Sequence, residues 1–493
     1  MPDIPNILNT PSSHFVTVSP DLSVKENGEP MALHNRTFDE LQMGDSASIT
    51  HTLTREDVTL FALATGDLNP QHIDDAYAAN SIFKTVIAHG MWGAGQISAV
   101  LGMRFPGPGT IYLGQTLHFR APVLVGDTIT TTLTVSARDE VKRHVTFSCE
   151  CTNQHGKTVI SGDATVIPPR EHVEWVPHGI PEVRLIPAQD GARRLVDYAL
   201  TLGRIRTAIV HPCNALTLDS ALKAAARGLI EPVFIAPKSR LEALAEQCGY
   251  DLSGIAIEDV PHSDAPAEPA AETTRAGTVE ATMKGSLHTD ELMAAVVAKD
   301  SGLRTKRRIT HCFLLQSPAY PRPFIITDAA INILPTLEVK ADIIRNAIDL
   351  AHAIGVARPK VAILAAVETV NPAMPATLDA AALCKMADRG QITSGVLDGP
   401  LALDNAVSAH AAAIKGIQSE VAGEADILVV PDLESGNMMA KQLEYLGGAH
   451  MAGIVLGAKL PIILTSRADE EESRIASCAL AVVLAHHYRV TPP

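Results

Sequence analysis

A proline-rich stretch at residues 168–187 separates two hydrophobic patterns in this sequence. Before it, apolar and polar residues alternate in runs such as Ile129 to Val135 and Val145 to Cys151, as in half-buried antiparallel strands. After it, short aliphatic runs alternate with alanine-rich helical stretches, which favours repeated βα units with parallel strands. Because the dividing stretch has no hydrophobic period, it is typical of a linker. The sequence therefore predicts an α+β domain followed by a larger α/β domain.

The predicted domain boundaries follow this division. A chain of 493 residues is too long for one hydrophobic core. The α/β part is longer than one sheet usually carries, so we expect two lobes with a cleft, lobe 1 at about 189–320 and 457–493 and lobe 2 at about 321–456. The expected order is a disordered arm at 1–30, an α+β domain at 31–168, a linker at 169–188 and the α/β domain at 189–493.

Charge and cysteine content limit the classes of partner and compartment. The net charge of −15 argues against nucleic acid. The 7 scattered cysteines form no C-x-x-C pair, which indicates a reducing cytosol, and the N-terminus lacks the features of a signal peptide. The longest apolar stretch, 451–465, is shorter than the roughly 20 residues that span a membrane, and it is predicted to be a loop between buried strands.

The segment Thr65–Asp74 contains a carboxylate and an imidazole separated by two turn signals. The breaker pairs Gly-Asp and Asn-Pro predict a tight loop in which Asp67 and His72 converge. The two side chains could then hold one water molecule between an acceptor and a switchable donor, as adding water to a double bond requires. No third metal ligand is visible near them, so no metal site is expected. In the alternative interpretation, Asp67 caps a helix and His72 is a hydrogen-bonded core residue.

Two predicted helices flank this loop. Thr54–Asp57 matches a capping box and begins a helix that delivers Asp67. A long central helix is predicted from Met91 to Arg104, where small residues would let a sheet pack closely. Gly90 would place a bare backbone N–H at the start of that helix, where the dipole favours developing negative charge. An acid/base pair beside such an oxyanion site suits chemistry next to a carbonyl group.

The segments Thr65–Asp74 and Tyr77–Gly90 resemble the MaoC-type (R)-specific enoyl-CoA hydratases, which have a hotdog fold. The resemblance implies that Asp67 and His72 activate and deliver water across the trans-2,3 double bond of an enoyl thioester. It also implies that the Gly90 N–H polarises the thioester carbonyl and that Asn69 contacts substrate. A thioesterase is the alternative, since the same fold hosts both chemistries.

Polar loops follow the predicted strands of the α/β part. Lys284-Gly285-Ser286 offers a cation, a turn glycine and a hydroxyl, without the two-glycine spacing of a P-loop. Ser466-Arg467 places a hydroxyl and a guanidinium at a helix start, and arginine suits a bidentate phosphate clamp. Further loops are predicted at 397–400 and 431–437. Ligands of α/β folds bind at the carboxyl ends of strands, so these loops predict a shared functional cleft.

These loops resemble the phosphate acetyl/butyryltransferase family, which exchanges acyl groups between coenzyme A and phosphate. The family has a two-lobed α/β fold like that of the isocitrate/isopropylmalate-dehydrogenase group. The resemblance implies that Ser466 and Arg467 hold the acyl phosphate. The other implied substrate-binding residues are Lys284, Ser286 and Asn437.

Two positions depart from the acetyl-type branch of that family. The branch has an arginine near Tyr445 and an acid near Ser473, and this chain has neither. The segment from Asp398 to Asp404 looks more like the butyryl-type branch. The base for the thiol of coenzyme A is unassigned, with Asp469 and Glu470 as the nearby substitutes.

The sequence as a whole predicts a bifunctional cytoplasmic enzyme without cofactors. Its expected partners are enoyl-CoA or acyl-CoA and phosphate or acyl phosphate, with neither nucleic acid nor membrane. A homodimer or higher homo-oligomer is expected by analogy with hotdog proteins. In the alternative interpretation, the second domain is a non-catalytic module that binds coenzyme A or drives oligomerisation.

Overall fold

The computed structural model describes residues 16–18, 32–176, 183–185, 191–260, 278–465 and 469–493. Their contacts form two units. The first unit holds the described residues from 16 to 185, and the second holds those from 191 to 493.

The first unit combines antiparallel strands with one long helix. Its strands are β1 (Val16–Val18), β2 (Leu33–His34), β3 (Ser46–Thr52), β4 (Ile111–Phe119), β5 (Thr128–Asp139), β6 (His144–Thr152), β7 (Thr158–Ile167), β8 (Glu174–Trp175) and β9 (Val183–Leu185). Its helices are α1 (Arg55–Thr65), α2 (Pro70–Ile73), α3 (Asp75–Asn80) and α4 (Gly90–Met103), with a 3-10 turn at Phe38–Glu40. Five strands form one antiparallel sheet in the order β3-β5-β6-β7-β4.

Side-chain burial in this sheet follows the alternation of the sequence. Every second residue of β5 from Ile129 to Val135 is buried, and the same face of β6 buries Phe147 and Cys149. Helix α4 contributes Trp92 and Ile97 to the same core. The predicted long helix is confirmed as α4. The capping box of α1 is also confirmed, since the Thr54 hydroxyl accepts the Asp57 N–H. The sheet therefore packs on α4, as the hotdog resemblance implies.

Short strands occur within the predicted arm and the predicted linker. Strand β1 pairs antiparallel with β9, and β2 pairs antiparallel with β8. The rest of the arm and the linker residues 177–182 and 186–188 lie outside the described residues.

The second unit is a larger α/β structure. Its strands are β10 (Ile205–Val210), β11 (Ile230–Ala236), β12 (Ala256–Asp259), β13 (Ala281–Lys284), β14 (Thr310–Gln316), β15 (Phe324–Thr327), β16 (Lys360–Leu364), β17 (Val396–Leu401), β18 (Ile427–Val429), β19 (His450–Leu456) and β20 (Ile462–Ile463). Its helices are α5 (Gly191–Leu202), α6 (Ala215–Ala226), α7 (Lys238–Cys248), α8 (Thr289–Val297), α9 (Leu337–Ala353), α10 (Pro375–Asp388), α11 (Leu403–Val407), α12 (Ala409–Ile414), α13 (Leu433–Tyr445) and α14 (Glu471–Val490).

One 11-stranded sheet runs through both predicted lobes, in the order β12-β11-β10-β13-β20-β19-β14-β15-β18-β16-β17. Successive residues Ile209 and Val210 of β10 belong to different hydrophobic cores, so apolar side chains cover both faces of the sheet. Strand β14 is antiparallel to β15 and β19, and β19 is antiparallel to β20. The strands β15 to β17 on one side of this point therefore run opposite to β10, β13 and β20 on the other side.

Three expectations about this unit differ from the structure. The two lobes share one sheet rather than having a sheet each. The apolar stretch at 451–465 is not a loop, because most of it forms the antiparallel pair β19 and β20. The Asp398-Gly399-Pro400 segment lies inside β17 rather than in a loop after a strand. Among the described helices, none is long and apolar enough to cross a membrane.

We expect the Gly162→Ala substitution to destabilise the first unit. A Cβ atom at this position of β7 would lie 1.9 Å from the Thr116 carbonyl oxygen, so the backbones of β4 and β7 would have to separate. The expected loss is about 2–3 kcal/mol of unfolding free energy. Tryptophan-selective fluorescence during urea unfolding measures it, because the 2 tryptophans, Trp92 and Trp175, both lie in this unit.

Gly95→Ala is the matched control, since no heavy atom lies within 4 Å of a Cβ atom at that position of α4. It should be neutral or stabilise the unit by up to about 1 kcal/mol. An unfolding midpoint of Gly162→Ala equal to that of the parent protein would contradict the close strand approach.

Candidate functional site

A sharp turn between α1 and α2 carries the predicted acid/base pair. Helix α1 ends at Gly66, whose left-handed backbone (φ of 75°) reverses the chain. Asn69 then caps α2 by accepting the Gln71 N–H on its side-chain oxygen, and Pro70 occupies the first helical position. Asp67 therefore lies before α2 and His72 lies on it, as the two breaker pairs predict.

Two histidine hydrogen bonds hold this turn against the segment that leads into α4. The His72 Nδ1 lies 2.8 Å from the Ile87 carbonyl oxygen, and the His89 Nε2 lies 3.0 Å from the Asp67 carbonyl oxygen. The two imidazole rings stack with centroids 3.9 Å apart and planes inclined by 30°. Each ring thus ties one side of the turn to residues 87–89.

These contacts determine the tautomers of both rings. A carbonyl oxygen only accepts, so His72 carries its hydrogen on Nδ1 and leaves a lone pair on Nε2. By the same argument His89 carries its hydrogen on Nε2, and its buried Nδ1 has no hydrogen-bond partner among the described residues. His72 can therefore accept a proton at Nε2, whereas the Nε2–H of His89 is used in the hydrogen bond to the Asp67 carbonyl oxygen.

Asp67, His72 and His89 form one compact group. The Asp67 carboxylate and one ring nitrogen of each histidine lie within 4.8 Å of one another, a separation that one water molecule can bridge. The Asp67 side chain is 54% exposed and His89 is 3% exposed, so the group lies where a buried surface meets solvent. The expectation that no third ligand lies near Asp67 and His72 is wrong, because the fold brings in His89. The sequence signal was a histidine directly before the glycine that begins α4.

A cleft of about 560 Å³ opens beside this group. Its polar end is formed by His72, His89 and Gly90. The rest of its lining is mainly apolar, with Arg120 as the exception: Phe83, Ile87, Ala88, Met91, Gly93, Phe119, Ala121, Pro122, Val123 and Ile160. Such a cleft suits an apolar chain that carries one reactive polar group.

Gly90 offers its backbone to this cleft. It is exposed and occupies the first position of α4, where an N–H has no acceptor within the helix. The Phe119 ring fills the space beside it, with ring atoms 3.0–3.2 Å from where a Cβ atom would be. Glycine therefore fits this position, and its N–H can donate to an oxygen near His72. Sequence reasoning found Gly90 but missed Phe119.

Asn69 has a structural task in this arrangement. Its side-chain oxygen accepts the Gln71 N–H at 3.1 Å, and its backbone N–H donates to the Asp67 carboxylate at 3.3 Å. Asn69 does not line the cleft. Its predicted contact with substrate remains a prediction.

In the second unit, Lys284 and Ser286 lie where β13 ends against β10. The Ser286 hydroxyl donates to the His211 carbonyl oxygen at 2.9 Å, and the Lys284 ammonium donates to the Leu287 carbonyl oxygen at 3.0 Å. A Cβ atom at Gly285 would lie 2.2 Å from the Val210 carbonyl oxygen, so the loop fits tightly on β10. Both predicted side chains are thus hydrogen-bonded to backbone oxygens.

A small cavity of about 30 Å³ lies beside this loop. Arg474 of α14 lines it together with Lys284 and Asn214, the N-cap residue of α6. Arg474 is 8% exposed, and its buried Nε has no hydrogen-bond partner within the part of the chain that the structure describes. Sequence reasoning missed this residue, since its position within a helix gives no local signal.

The remaining predicted residues of the second unit lie elsewhere. Asn437 is on α13 and donates to the Ala329 carbonyl oxygen at 3.2 Å. It follows β18, which runs opposite to β13 and is separated from it by β20, β19, β14 and β15. The argument that all these loops share one sheet edge therefore fails. Ser466 and Arg467 lie outside the described residues.

Two protein-family models match this chain. The model described as phosphate acetyl/butyryl transferase matches residues 264–482, and the MaoC-like domain model matches residues 39–155. A phosphate acetyltransferase from Rickettsia felis is 58% identical over 57% of this chain and 81% of its own length. A phosphate butyryltransferase from Clostridium acetobutylicum is 40% identical over 54% of this chain and 89% of its own length.

Solved structures match each unit. A branched-chain phosphotransacylase from Enterococcus faecalis matches with a TM-score of 0.52 and 29% identity, over 57% of this chain and 99% of that protein. An R-hydratase from Pseudomonas aeruginosa is 39% identical over 31% of this chain and 99% of that protein, with a TM-score of 0.31. With four fifths of a relative covered at 58% identity, the chain belongs to the phosphate acetyl/butyryltransferase family and carries a MaoC-like domain before the family's own region.

Proposed function

We propose that the MaoC-like unit hydrates (2E)-enoyl-CoA reversibly to (R)-3-hydroxyacyl-CoA. The observation that carries this proposal is that the Asp67 carboxylate and a ring nitrogen of His72 lie within 4.8 Å of each other, while His72 bonds the Ile87 carbonyl oxygen through Nδ1 and keeps Nε2 as a proton acceptor. A hydratase also needs a donor for the thioester oxygen, and the Gly90 N–H at the start of α4 can serve as that donor.

In the proposed reaction, Asp67 and His72 each accept a hydrogen bond from the same water molecule. One of them takes a proton as the water oxygen bonds to C3, and the electron pair of the double bond moves through C2 to the thioester oxygen. The Gly90 N–H and the dipole of α4 stabilise the resulting enolate oxygen. The same acid/base pair then returns a proton to C2, and the carbonyl group forms again.

For the second unit we infer reversible acyl transfer between coenzyme A and phosphate. Four relatives named phosphate acetyltransferases are 54–59% identical, whereas relatives named phosphate butyryltransferases or probable phosphate butyryltransferases are 38–47% identical. This difference favours acetyl groups over the butyryl-type preference that the Asp398–Asp404 segment suggested. Ser466 and Arg467 remain the proposed phosphate ligands, with arginine neutralising phosphoryl charge as the thiolate attacks.

Both proposed reactions use thioesters of coenzyme A. A product of one unit can therefore meet the other unit at a raised effective concentration, because the two are joined in one chain.

We expect Asp67→Asn and Arg467→Ala to remove different activities of the full-length protein. Asp67→Asn should lower hydration of crotonyl-CoA by about 10²–10⁴-fold, since asparagine has nearly the same shape as aspartate but cannot take the proton. Arg467→Ala should lower acyl-phosphate formation by about 10²–10³-fold, since it removes a charge from the phosphate. Each variant should keep the activity that the other loses, measured by the loss of enoyl absorbance and by acyl-phosphate production.

Arg193→Ala is the matched control for the loss of an arginine, because that side chain is 81% exposed and its ion pair with Asp197 lies on the surface. It should change neither rate. Hydration by Asp67→Asn at the parental rate would refute the acid/base pair, and release of free acid from saturated acyl-CoA would indicate a thioesterase.

His89 should act as a positioning residue for Asp67. His89→Leu removes the Nε2 donor to the Asp67 carbonyl oxygen, so the turn loses one of its two imidazole anchors. We expect kcat for hydration to fall by up to about 10²-fold with a smaller change in KM, because the apolar lining of the cleft is kept but the acid/base pair is misplaced. His89→Gln keeps an amide donor at similar reach and should recover much of the rate. Equal losses in both variants would contradict the positioning role.

The acyl preference of the second unit can be measured with phosphate and acyl-CoA donors. We expect kcat/KM for acetyl-CoA to exceed that for butyryl-CoA by about tenfold or more, the usual scale for extra methylene groups in a tight site. A preference for butyryl-CoA would restore the butyryl-type assignment. Saturable binding of coenzyme A without turnover of either donor would instead make this unit a binding module.

A further inference from the structure

We propose that Ile160 limits the length of the acyl chain in the hydratase cleft, so that its substrates are short enoyl thioesters. This inference rests on the proposed hydratase function. It assigns to Ile160 an apolar wall of the cleft that His72 and His89 also line.

Ile160 fills space that a side chain on α4 would otherwise occupy. Its Cδ1 lies 2.2 Å from where a Cβ atom of Gly93 would be, and both residues line the cleft. Ile160 is 3% exposed, so it is held by the core rather than free to swing into solvent. The contact between Ile160 and the backbone of α4 therefore closes the cleft at this point.

A second contact of the same kind lies one helical turn earlier. Phe119 on β4 and Ile160 on β7 are cross-strand partners, and the Phe119 ring covers Gly90 as Ile160 covers Gly93. Gly90 is where the thioester oxygen is proposed to bind. Gly93 lies about one turn after Gly90 on α4, so the two contacts lie on nearly the same side of the helix.

Burial determines which end of the cleft receives the acyl chain. Met91 is 53% exposed and Arg120 is also exposed, so this rim suits the anionic coenzyme A portion. Ala88, Val123 and Ile160 are all buried and apolar, so the cleft walls that they form suit a hydrocarbon chain. The acyl chain then runs from Gly90 towards Ile160.

The closing contact lies about one helical turn from Gly90, so an enoyl chain that starts at Gly90 meets Ile160 as it lengthens. We therefore expect four-carbon chains to react faster than ten-carbon chains, which need the space that the Ile160 side chain occupies.

The test measures kcat/KM of the full-length protein with crotonyl-CoA and with (2E)-decenoyl-CoA. The parent protein should strongly prefer crotonyl-CoA. Ile160→Ala should raise the decenoyl-to-crotonyl ratio of kcat/KM by about tenfold or more, because it removes the group that blocks the longer chain. Ile129→Ala is the matched control, since Ile129 is a buried isoleucine of the same core that does not line the cleft. It should leave the ratio unchanged.

A pair of variants tests the contact itself. Gly93→Ala should lower crotonyl-CoA hydration, because the new methyl group displaces Ile160 into the cleft. Adding Ile160→Val, which removes one carbon atom, should restore part of the lost rate. Ile160→Val can also replace Ile160→Ala in the substrate-ratio test if Ile160→Ala does not fold.

Three results would overturn the inference. Equal rates with both substrates in the parent protein, or the same ratio in Ile160→Ala and Ile129→Ala, would remove Ile160 as the limit while leaving the hydratase intact. Absence of hydration with every enoyl-CoA in the parent protein would instead refute the hydratase proposal, and the inference with it.

Discussion

The candidate hydratase site depends on the turn between α1 and α2 being fixed against the start of α4. Two hydrogen bonds from imidazole rings fix it, His72 to the Ile87 carbonyl oxygen and His89 to the Asp67 carbonyl oxygen. The first bond also decides which nitrogen of His72 can accept a proton, and the second holds the Asp67 backbone, so that the Asp67 carboxylate lies within 4.8 Å of a ring nitrogen of each histidine. Without them, the turn would keep other bonds, such as that from the Gln71 side-chain amide to the Thr85 carbonyl oxygen, but the two imidazole rings would lose their defined placement.

Close packing of the sheet on α4 gives this turn a cleft to act on. Glycine at positions 90 and 93 leaves space that Phe119 and Ile160 of neighbouring strands fill. One glycine thereby offers a backbone N–H next to the acid/base pair, and the other brings a side chain close enough to close the cleft. The position of the backbone N–H donor and the proposed limit on substrate length thus depend on the same helix, α4, and the same pair of strands, β4 and β7.

Local sequence signals predicted much of the site. The breaker pairs around Asp67 and His72 and the small residues of α4 act over a few residues, so their structural effect is visible in the sequence. The role of His89 depends on stacking with His72 and on reaching back to residue 67, which no local period encodes. The Phe119 and Ile160 contacts depend on strand register, which is set by pairing between distant segments.

In the second unit too, pairing between distant segments limits what can be predicted from the sequence. Repeated βα patterns predicted its parallel strands, but β14 and β19 pair antiparallel with their neighbours and reverse the direction of the remaining strands. Loops that all follow strands in sequence therefore follow strands of opposite direction in space. Lys284 and Asn437 belong to loops that follow such opposed strands. Each is hydrogen-bonded to a different backbone segment.

The claim that Asp67 and His72 share one water molecule is tested most directly by the stereochemistry of hydration in deuterium oxide. One acid/base pair that takes a proton from water and returns a proton to C2 acts on a single face of the double bond. Crotonyl-CoA should therefore yield the (R)-3-hydroxy product with the hydroxyl group and the deuterium atom added to the same face. Addition to opposite faces would contradict the shared water molecule, and an (S) product would contradict the (R) assignment.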